Sequence, residues 1–203
     1  MKLKFCGLTR EEDIAAANET LPDYIGFVFA ESRRRVSDRE AARLRARLVP
    51  QIQTVGVFVN DDPAHIAALT RDGIIQMIQL HGDEDAAYIT RLRVLTDAPI
   101  GKAARVRTRA DIERAEALPA DFLLLDACAG RAYGGSGRQF DWSLIGKVGK
   151  PFFLAGGINE DNIGRALQTG AYALDLSSGI ETDGVKDPVK MRRIAELVRR
   201  DNK

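Results

Sequence analysis

Residues 151–180 read PFFLAGGINEDNIGRALQTGAYALDLSSGI, and this stretch decides the fold. It opens with a short apolar run, Phe152–Ala155, and it closes with a second one, Ala173–Leu176. Between them, two glycines precede an amphipathic segment that predicts a helix led by Asn159, with acidic residues in its first turn. The order strand, helix, strand predicts two parallel strands that are connected by a helical crossover.

The same unit recurs along the rest of the chain. Each further apolar run has the length of a strand, and several of the runs carry the β-branched and aromatic residues that strands favour. Their nearly continuous apolar character is typical of a parallel sheet that is buried on both faces. The six additional runs are Leu3–Cys6, Tyr24–Phe29, Thr54–Val59, Ile74–Leu80, Ile100–Val106 and Phe122–Leu125.

Helical patterns separate the predicted strands. Ser37–Leu48 and Arg107–Leu118 have helical spacing, while Asp62-Pro63 and Asp187-Pro188 each place a capping carboxylate before a proline, a common helix start. Eight strand–helix units in 203 residues favour a closed (β/α)₈ barrel over an open doubly wound sheet. Because no linker or low-complexity run divides the chain, we expect a single domain over residues 1–203.

The composition argues against several classes of function. Apolar residues make up 45% of the chain and charged residues 29%, and the formal net charge of +1 favours neither nucleic acid nor a membrane surface as a partner. No apolar run reaches membrane-spanning length, and the run after Met1 is too short for a signal peptide. The two cysteines predict free thiols and a cytoplasmic location. Scattered histidines and cysteines and the lack of a nucleotide-binding motif predict neither a metal site nor a cofactor.

In a (β/α)₈ barrel the active site lies at the carboxyl ends of the strands. Cys6 ends the first strand and Asp126 ends the sixth, so the two side chains are expected to face each other across the barrel mouth. One could deprotonate a sugar between them while the other protonates it. A free thiol has a pKa of about 8.5, so Cys6 would need a positive environment to act as a base. The alternatives are a small buried cysteine and an aspartate that caps a turn.

Three glycine-rich turns follow the last three strands and are candidates for a phosphate site. Glycine lets backbone N–H groups approach an anion, and the loops after strands seven and eight hold phosphate in many barrels of this kind. The alternative is that these glycines only form tight turns. The candidate residues are Gly135, Ser136 and Gly137, then Gly156 and Gly157, then Ser177, Ser178 and Gly179.

Two further strand ends carry candidate substrate-binding residues. Arg34, within the run Ser32–Arg35 after strand two, could form paired hydrogen bonds with a carboxylate, although a solvated basic loop is the alternative. His81 ends strand four and could contact the substrate, or it could be a structural histidine.

These residues lie in motifs that resemble those of the phosphoribosylanthranilate isomerase family, from residue 2 to about residue 190. The first and last motifs are the most specific, whereas Val-Gly-Val-Phe and Ala-Gly-Gly-Ile would be weak alone. In chain order, the motifs are Lys4–Arg10, Gly26–Phe29, Ser32–Val36, Val55–Asn60, Gln79–Glu84, Leu124–Asp126, Gly134–Gly137, Phe140–Trp142, Leu154–Ile158, Asp175–Glu181 and Gly184–Asp187.

The resemblance implies an Amadori rearrangement of a phosphosugar in tryptophan biosynthesis, by a monomer or a homodimer. It implies that Asp126 is the general acid, that Cys6 is the general base and that Arg34 holds the anthranilate carboxylate, with the glycine-rich turns on the phosphate. This sequence departs from the family pattern at Arg33, where proline is usual, so any of the three consecutive arginines could meet the carboxylate. Cys128 adds a second thiol near the acid.

Two other functions remain open at this point. One is a phosphosugar isomerase of the histidine-synthesis type, but that reaction looks to need two carboxylates, and the first strand ends here in Cys6. The other is a phosphosugar-binding barrel without turnover, which the presence of both Cys6 and Asp126 disfavours.

Overall fold

The computed structural model describes residues 1–127 and 139–201, and it confirms the predicted (β/α)₈ barrel. Eight parallel strands follow one another around a closed sheet in sequence order, and β1 pairs with β8 to close it. The strands are β1 Lys2–Cys6, β2 Tyr24–Val28, β3 Gln53–Phe58, β4 Met77–Leu80, β5 Ile100–Val106, β6 Phe122–Ala127, β7 Phe152–Leu154 and β8 Ala173–Leu176.

Helices connect most of these strands, and two begin at the predicted caps, after Asp62 and after Asp187. Ser37 accepts a hydrogen bond from the backbone of Glu40 and forms a capping box, and Asp62 caps the helix that opens with Pro63. The helices are α1 Glu11–Thr20, α2 Asp38–Arg45, α3 Pro63–Arg71, α4 Ala86–Leu95, α5 Arg109–Glu116, α6 Ile163–Ala166 and α7 Pro188–Asp201. Within residues 1–127 and 139–201, no helix is long and apolar enough to cross a membrane.

The prediction of a helix led by Asn159 is wrong in its start, because α6 begins only at Ile163. The side chain of Asn159 accepts a hydrogen bond from the amide of Asp161, and the side chain of Asn162 accepts one from the amide of Asn159. These local bonds satisfy backbone groups in turns, and they compete with the first turn of a helix.

The strand residues separate into two apolar layers, since successive side chains point to opposite faces of the sheet. One layer, which includes Phe5 and Phe27, packs between the sheet and the helices. The other fills the lower part of the barrel interior with rings, where Phe153 packs 5.3 Å from Tyr24 and 5.1 Å from Phe122 between ring centroids. The amino-terminal end of the barrel is therefore a packed core.

The loop after β8 is fixed against the loop after β7. It forms a 3₁₀ turn, Ser178–Ile180, and then a two-stranded hairpin, β9 Glu181–Thr182 and β10 Val185–Lys186. A Cβ atom at Gly179 would lie 1.9 Å from the carbonyl oxygen of Ile158. Glycine at this position therefore allows the two loops to make backbone contact.

We predict that Gly179→Ala lowers the free energy of unfolding by about 1–3 kcal/mol, because the added methyl group must push two backbone segments apart. Gly164→Ala is the matched control, since nothing lies within 4 Å of its added Cβ and it sits in α6. The control variant is expected to be neutral or more stable by up to about 1 kcal/mol. Denaturation followed by circular dichroism measures both, and equal stabilities would contradict the assigned contact.

Candidate active site

A cavity of about 310 Å³ opens at the carboxyl end of the barrel, and it gathers most of the residues that the sequence singled out. Eight of the predicted site residues line it: Cys6, Arg34, His81, Asp126, Gly156, Gly157, Ser177 and Ser178. Gly179 packs against the β7 loop and does not line the cavity. Gly135, Ser136, Gly137 and Cys128 lie outside the described residues.

Cys6 is buried at the end of β1, and its thiol lies against Gly26 of β2. A Cβ atom at Gly26 would lie 2.6 Å from Sγ of Cys6, so the glycine makes room for the thiol. Burial raises the pKa of Cys6 above its ordinary value, while the positive charges of Lys4 and Lys186 act in the opposite direction. The free protein therefore holds Cys6 as a thiol, beside two cations that favour the thiolate when it forms.

Lys4 lies two residues before Cys6 on the same face of β1, and its side chain is 0% exposed. Its ammonium donates to Oδ2 of Asp175 at 2.7 Å and to Oε1 of Gln79 at 2.8 Å. Burial disfavours the charge on Lys4, but Asp175 and Cys6 together outweigh this effect, so the pKa of Lys4 is raised. A permanent positive charge thus lies beneath the cavity.

Asp126 is the next-to-last residue of β6, and it lies next to His81, which directly follows β4. Oδ2 of Asp126 is 3.4 Å from Nε2 of His81, and Oδ1 accepts a hydrogen bond from the amide of Ala127 at 2.8 Å. Gly156, whose φ is +85°, also approaches closely, because a Cβ there would lie 2.8 Å from Oδ1. The carboxyl group is therefore held by backbone on one oxygen, and its other oxygen faces the imidazole.

Arg34 is fixed by a buried carboxylate, Glu181 of β9. Nε and Nη2 of Arg34 donate to the two oxygens of Glu181 at 2.7 and 2.9 Å, and Arg33 and Lys186 donate to the same group. Burial disfavours the charge on Glu181, but Arg34 and Lys186 together outweigh this effect, so the pKa of Glu181 is lowered. Of the arginines considered from the sequence, only Arg34 lines the cavity, while Arg35 pairs with Glu31.

Five polar residues of this region were not singled out from the sequence: Lys4, Gln79, Asp175, Glu181 and Lys186. Lys4 and Gln79 could have been found, because each lies two residues before a candidate on a buried strand and so shares its face. Asp175 lies within β8, and its Oδ1 atom is buried without a hydrogen-bond partner among the described residues. Asp175 lines the cavity, so an acceptor without a donor lies just beneath its surface.

Comparison with known proteins identifies the family of this chain. The family model of N-(5′-phosphoribosyl)anthranilate (PRA) isomerase matches residues 3–197. The chain is similar to the N-(5′-phosphoribosyl)anthranilate isomerase of Endomicrobium trichonymphae, with 47% identity over 199 residues and 98% of each chain covered.

Two solved structures give the same result. Phosphoribosylanthranilate isomerase from Thermus thermophilus superposes with a TM-score of 0.88 at 32% identity, covering 98% of this chain and 99% of that one. A second isomerase structure, in complex with reduced 1-(o-carboxyphenylamino)-1-deoxyribulose 5-phosphate, has a TM-score of 0.84 at 30% identity over 98% of both chains. The chain therefore belongs to the N-(5′-phosphoribosyl)anthranilate isomerase family of (β/α)₈ barrels.

Proposed function

We propose that this chain converts N-(5-phosphoribosyl)anthranilate into 1-(2-carboxyphenylamino)-1-deoxyribulose 5-phosphate, with Asp126 as general acid and Cys6 as general base. Membership of the isomerase family supports the reaction and its place in tryptophan biosynthesis. The observation that carries the assignment is that a thiol from β1 and a carboxyl group from β6 line one cavity at the carboxyl end of the barrel.

The proposed reaction transfers one proton to the sugar and removes another. Asp126 gives its proton to the ring oxygen as the bond from that oxygen to C1′ breaks, and the nitrogen lone pair forms a C1′=N iminium. The Cys6 thiolate then takes the C2′ proton, and the electrons of that C–H bond form the C1′=C2′ bond of an enolamine. The enolamine tautomerises to the ketone product. The enzyme is left with a Cys6 thiol and an Asp126 carboxylate.

Protonation explains how a buried thiol can still serve as the base. The state with a Cys6 thiolate and an Asp126 carboxylic acid contains as many protons as the state with a thiol and a carboxylate. One internal proton shift therefore prepares the site for the reaction. Lys4 and Lys186 support this shift, because both positive charges favour the thiolate of Cys6.

The two ends of the substrate carry different anions, and the cavity offers a different group to each. Glu181 takes Nε and Nη2 of Arg34, and Nη1 makes no hydrogen bond within the described residues, so it is available to the anthranilate carboxylate. The turns at Gly156-Gly157 and Ser177-Ser178 line the cavity and are proposed to hold the phosphate with backbone and hydroxyl groups. A relative bound to a carboxyphenylamino deoxyribulose phosphate supports this class of ligand.

The purified protein is expected to consume phosphoribosylanthranilate, which is followed by the loss of its fluorescence. Asp126→Asn and Cys6→Ala should each lower kcat by about 10²–10⁴-fold, because each removes a proton-transfer group, while both still bind a product analogue. The exposed Asp72, at the end of α3, provides the control Asp72→Asn, which should keep full activity. A wild-type protein that binds the analogue without turnover would be a binding barrel, and near-normal kcat in either variant would remove that residue's role.

Arg34→Ala is expected to raise KM by roughly tenfold or more, since a hydrogen bond to a charged group contributes about 1.5–3 kcal/mol. Arg33→Ala is the matched control, because Arg33 donates to the same Glu181 carboxylate but does not line the cavity. Steady-state kinetics on both variants measures the difference. An unchanged KM for Arg34→Ala together with a raised KM for Arg33→Ala would transfer the carboxylate site to Arg33.

The thiol of Cys6 is expected to react slowly with iodoacetamide near neutrality, since burial raises its pKa above that of an ordinary thiol and the thiolate is the reactive form. In a Cys128→Ser background, the alkylation rate should rise with pH and reach half its maximum at a higher pH than in the denatured chain. Lys186→Met should move the profile further upward, because a charge that favours the thiolate is lost. A midpoint below that of the denatured chain would contradict this picture.

A further inference from the structure

A line of three buried polar side chains crosses the barrel interior between the proposed base and the proposed acid. Lys4 of β1, Gln79 of β4 and His81 at the end of β4 are buried. The Lys4 ammonium donates to Oε1 of Gln79 at 2.8 Å, and Nε2 of Gln79 lies 3.0 Å from Nδ1 of His81. At the far end, Nε2 of His81 lies 3.4 Å from Oδ2 of Asp126.

The chemistry of lysine fixes the direction of every bond in this line. An ammonium group can only donate, so the Gln79 atom that it contacts must be the carbonyl oxygen. The amide nitrogen of Gln79 then points at His81 and must donate to Nδ1. A ring nitrogen that accepts carries no proton, so the single proton of a neutral imidazole lies on Nε2, the atom that faces Asp126.

We propose that Lys4 and Gln79 are positioning residues that keep His81 neutral with its proton on Nε2, so that Asp126 and not His81 holds the proton that the substrate receives. The part of this inference that concerns catalysis rests on the proposed function of Asp126. The part that concerns the tautomer of His81 stands on the hydrogen bonds alone.

The ordinary basicities of an imidazole and a carboxyl group explain why His81 would need such positioning. An imidazole holds a proton more tightly than a carboxyl group does, so an adjacent histidine and aspartate tend to form an imidazolium and a carboxylate. That pairing would deprive Asp126 of the proton it must deliver. In this structure, protonation at Nδ1 of His81 would set an N–H group against the N–H group of Gln79.

Rotation of the Gln79 amide does not remove the conflict. A rotated amide would present its NH₂ group to the Lys4 ammonium, so two donors would then meet at 2.8 Å. Lys4 cannot turn away, because its side chain is 0% exposed and its ammonium is paired with Asp175 at 2.7 Å. The buried ion pair therefore fixes the amide, and the amide fixes the imidazole.

Three charged or titratable groups face this line, and Asp175 interacts electrostatically with His81 and Asp126 as well as with Lys4. Asp175 holds Lys4 from β8, Cys6 adjoins Lys4 on β1, and Asp126 adjoins His81 from β6. Nε2 of His81 is buried and makes no hydrogen bond within residues 1–127 and 139–201. Its N–H group therefore faces Asp126 at 3.4 Å without a formed hydrogen bond, and such bonds often shorten when a ligand binds.

The inference is tested by ¹⁵N NMR of the histidine rings, which distinguishes both neutral tautomers from the imidazolium. The chain has only two histidines, and a His65→Gln variant assigns their signals. The wild-type protein at neutral pH should show a neutral His81 with its proton on Nε2. A proton on Nδ1, or an imidazolium, in the folded wild type would overturn the inference, whatever the activity is.

Gln79→Glu supplies the matched perturbation, because a carboxylate of the same shape still accepts from Lys4 but cannot donate to Nδ1. His81 should then carry a proton on Nδ1, and kcat should fall by roughly tenfold or more, a part of the ~10²–10⁴ that a general acid contributes. Gln79→Met, which keeps the length but makes no polar bond, should give a mixture of tautomers. Retention of the Nε2 proton in Gln79→Glu would overturn the inference.

The outcomes separate this inference from the proposed function. A wild-type protein with the Nε2 tautomer but without turnover would overturn the proposed function and leave the tautomer assignment intact. An active wild-type protein with a charged His81 would do the reverse. If Gln79→Glu does not fold, as circular dichroism would show, the wild-type spectrum and Gln79→Met still decide the tautomer.

Discussion

A wholly buried ammonium group is the constraint on which the upper half of this barrel depends. Lys4 and Asp175 are register partners across the β1–β8 pair, so their ion pair lies where the sheet closes on itself. Transfer of two charges out of water is unfavourable unless each one finds its partner and further hydrogen bonds. That requirement draws Gln79 toward Lys4, and through Gln79 it draws His81. The polar floor of the cavity follows from this one buried charge.

The lower, amino-terminal part of the barrel interior and its upper, carboxyl-terminal part have different roles. Its lower part is filled with rings and aliphatic side chains, including Phe153 and Tyr24, which stabilise the closed sheet. Its upper part contains ionisable groups, whose burial opposes stability and alters their protonation. Asp126 follows Phe122 and Leu124 of this packed interior on β6, and Cys6 follows the buried Lys4 on β1, so rigid strands hold the two proposed reacting groups.

The sequence predicts the barrel well because each strand is a run of apolar residues, and all eight runs are strands in the structure. It predicts helices where a cap and a wide apolar face coincide, as at Pro63 and Pro188, but it gave no prediction for α1 or α4. Helix α1 carries three acidic residues in its first turn, and Ile14 is the only large apolar side chain that it buries, so its apolar pattern is weak. The gathering of the candidate residues at strand ends around one cavity was also predictable, since the fold brings all strand ends together. The contacts of Lys4 with Asp175 and of Arg34 with Glu181 were not, because each joins residues more than a hundred positions apart.

The Glu181 carboxylate has a consequence for how sequences of this type can diverge. It accepts hydrogen bonds from Arg33 and Arg34 of the loop after β2 and from Lys186 of the hairpin after β8. The loop after β2 and the hairpin after β8, which most of the chain separates, thus share one hydrogen-bond acceptor. A change in the length or charge of either segment alters the hydrogen bonds and the net charge at the Glu181 carboxylate. The loop and the hairpin are therefore expected to covary as one unit during evolution.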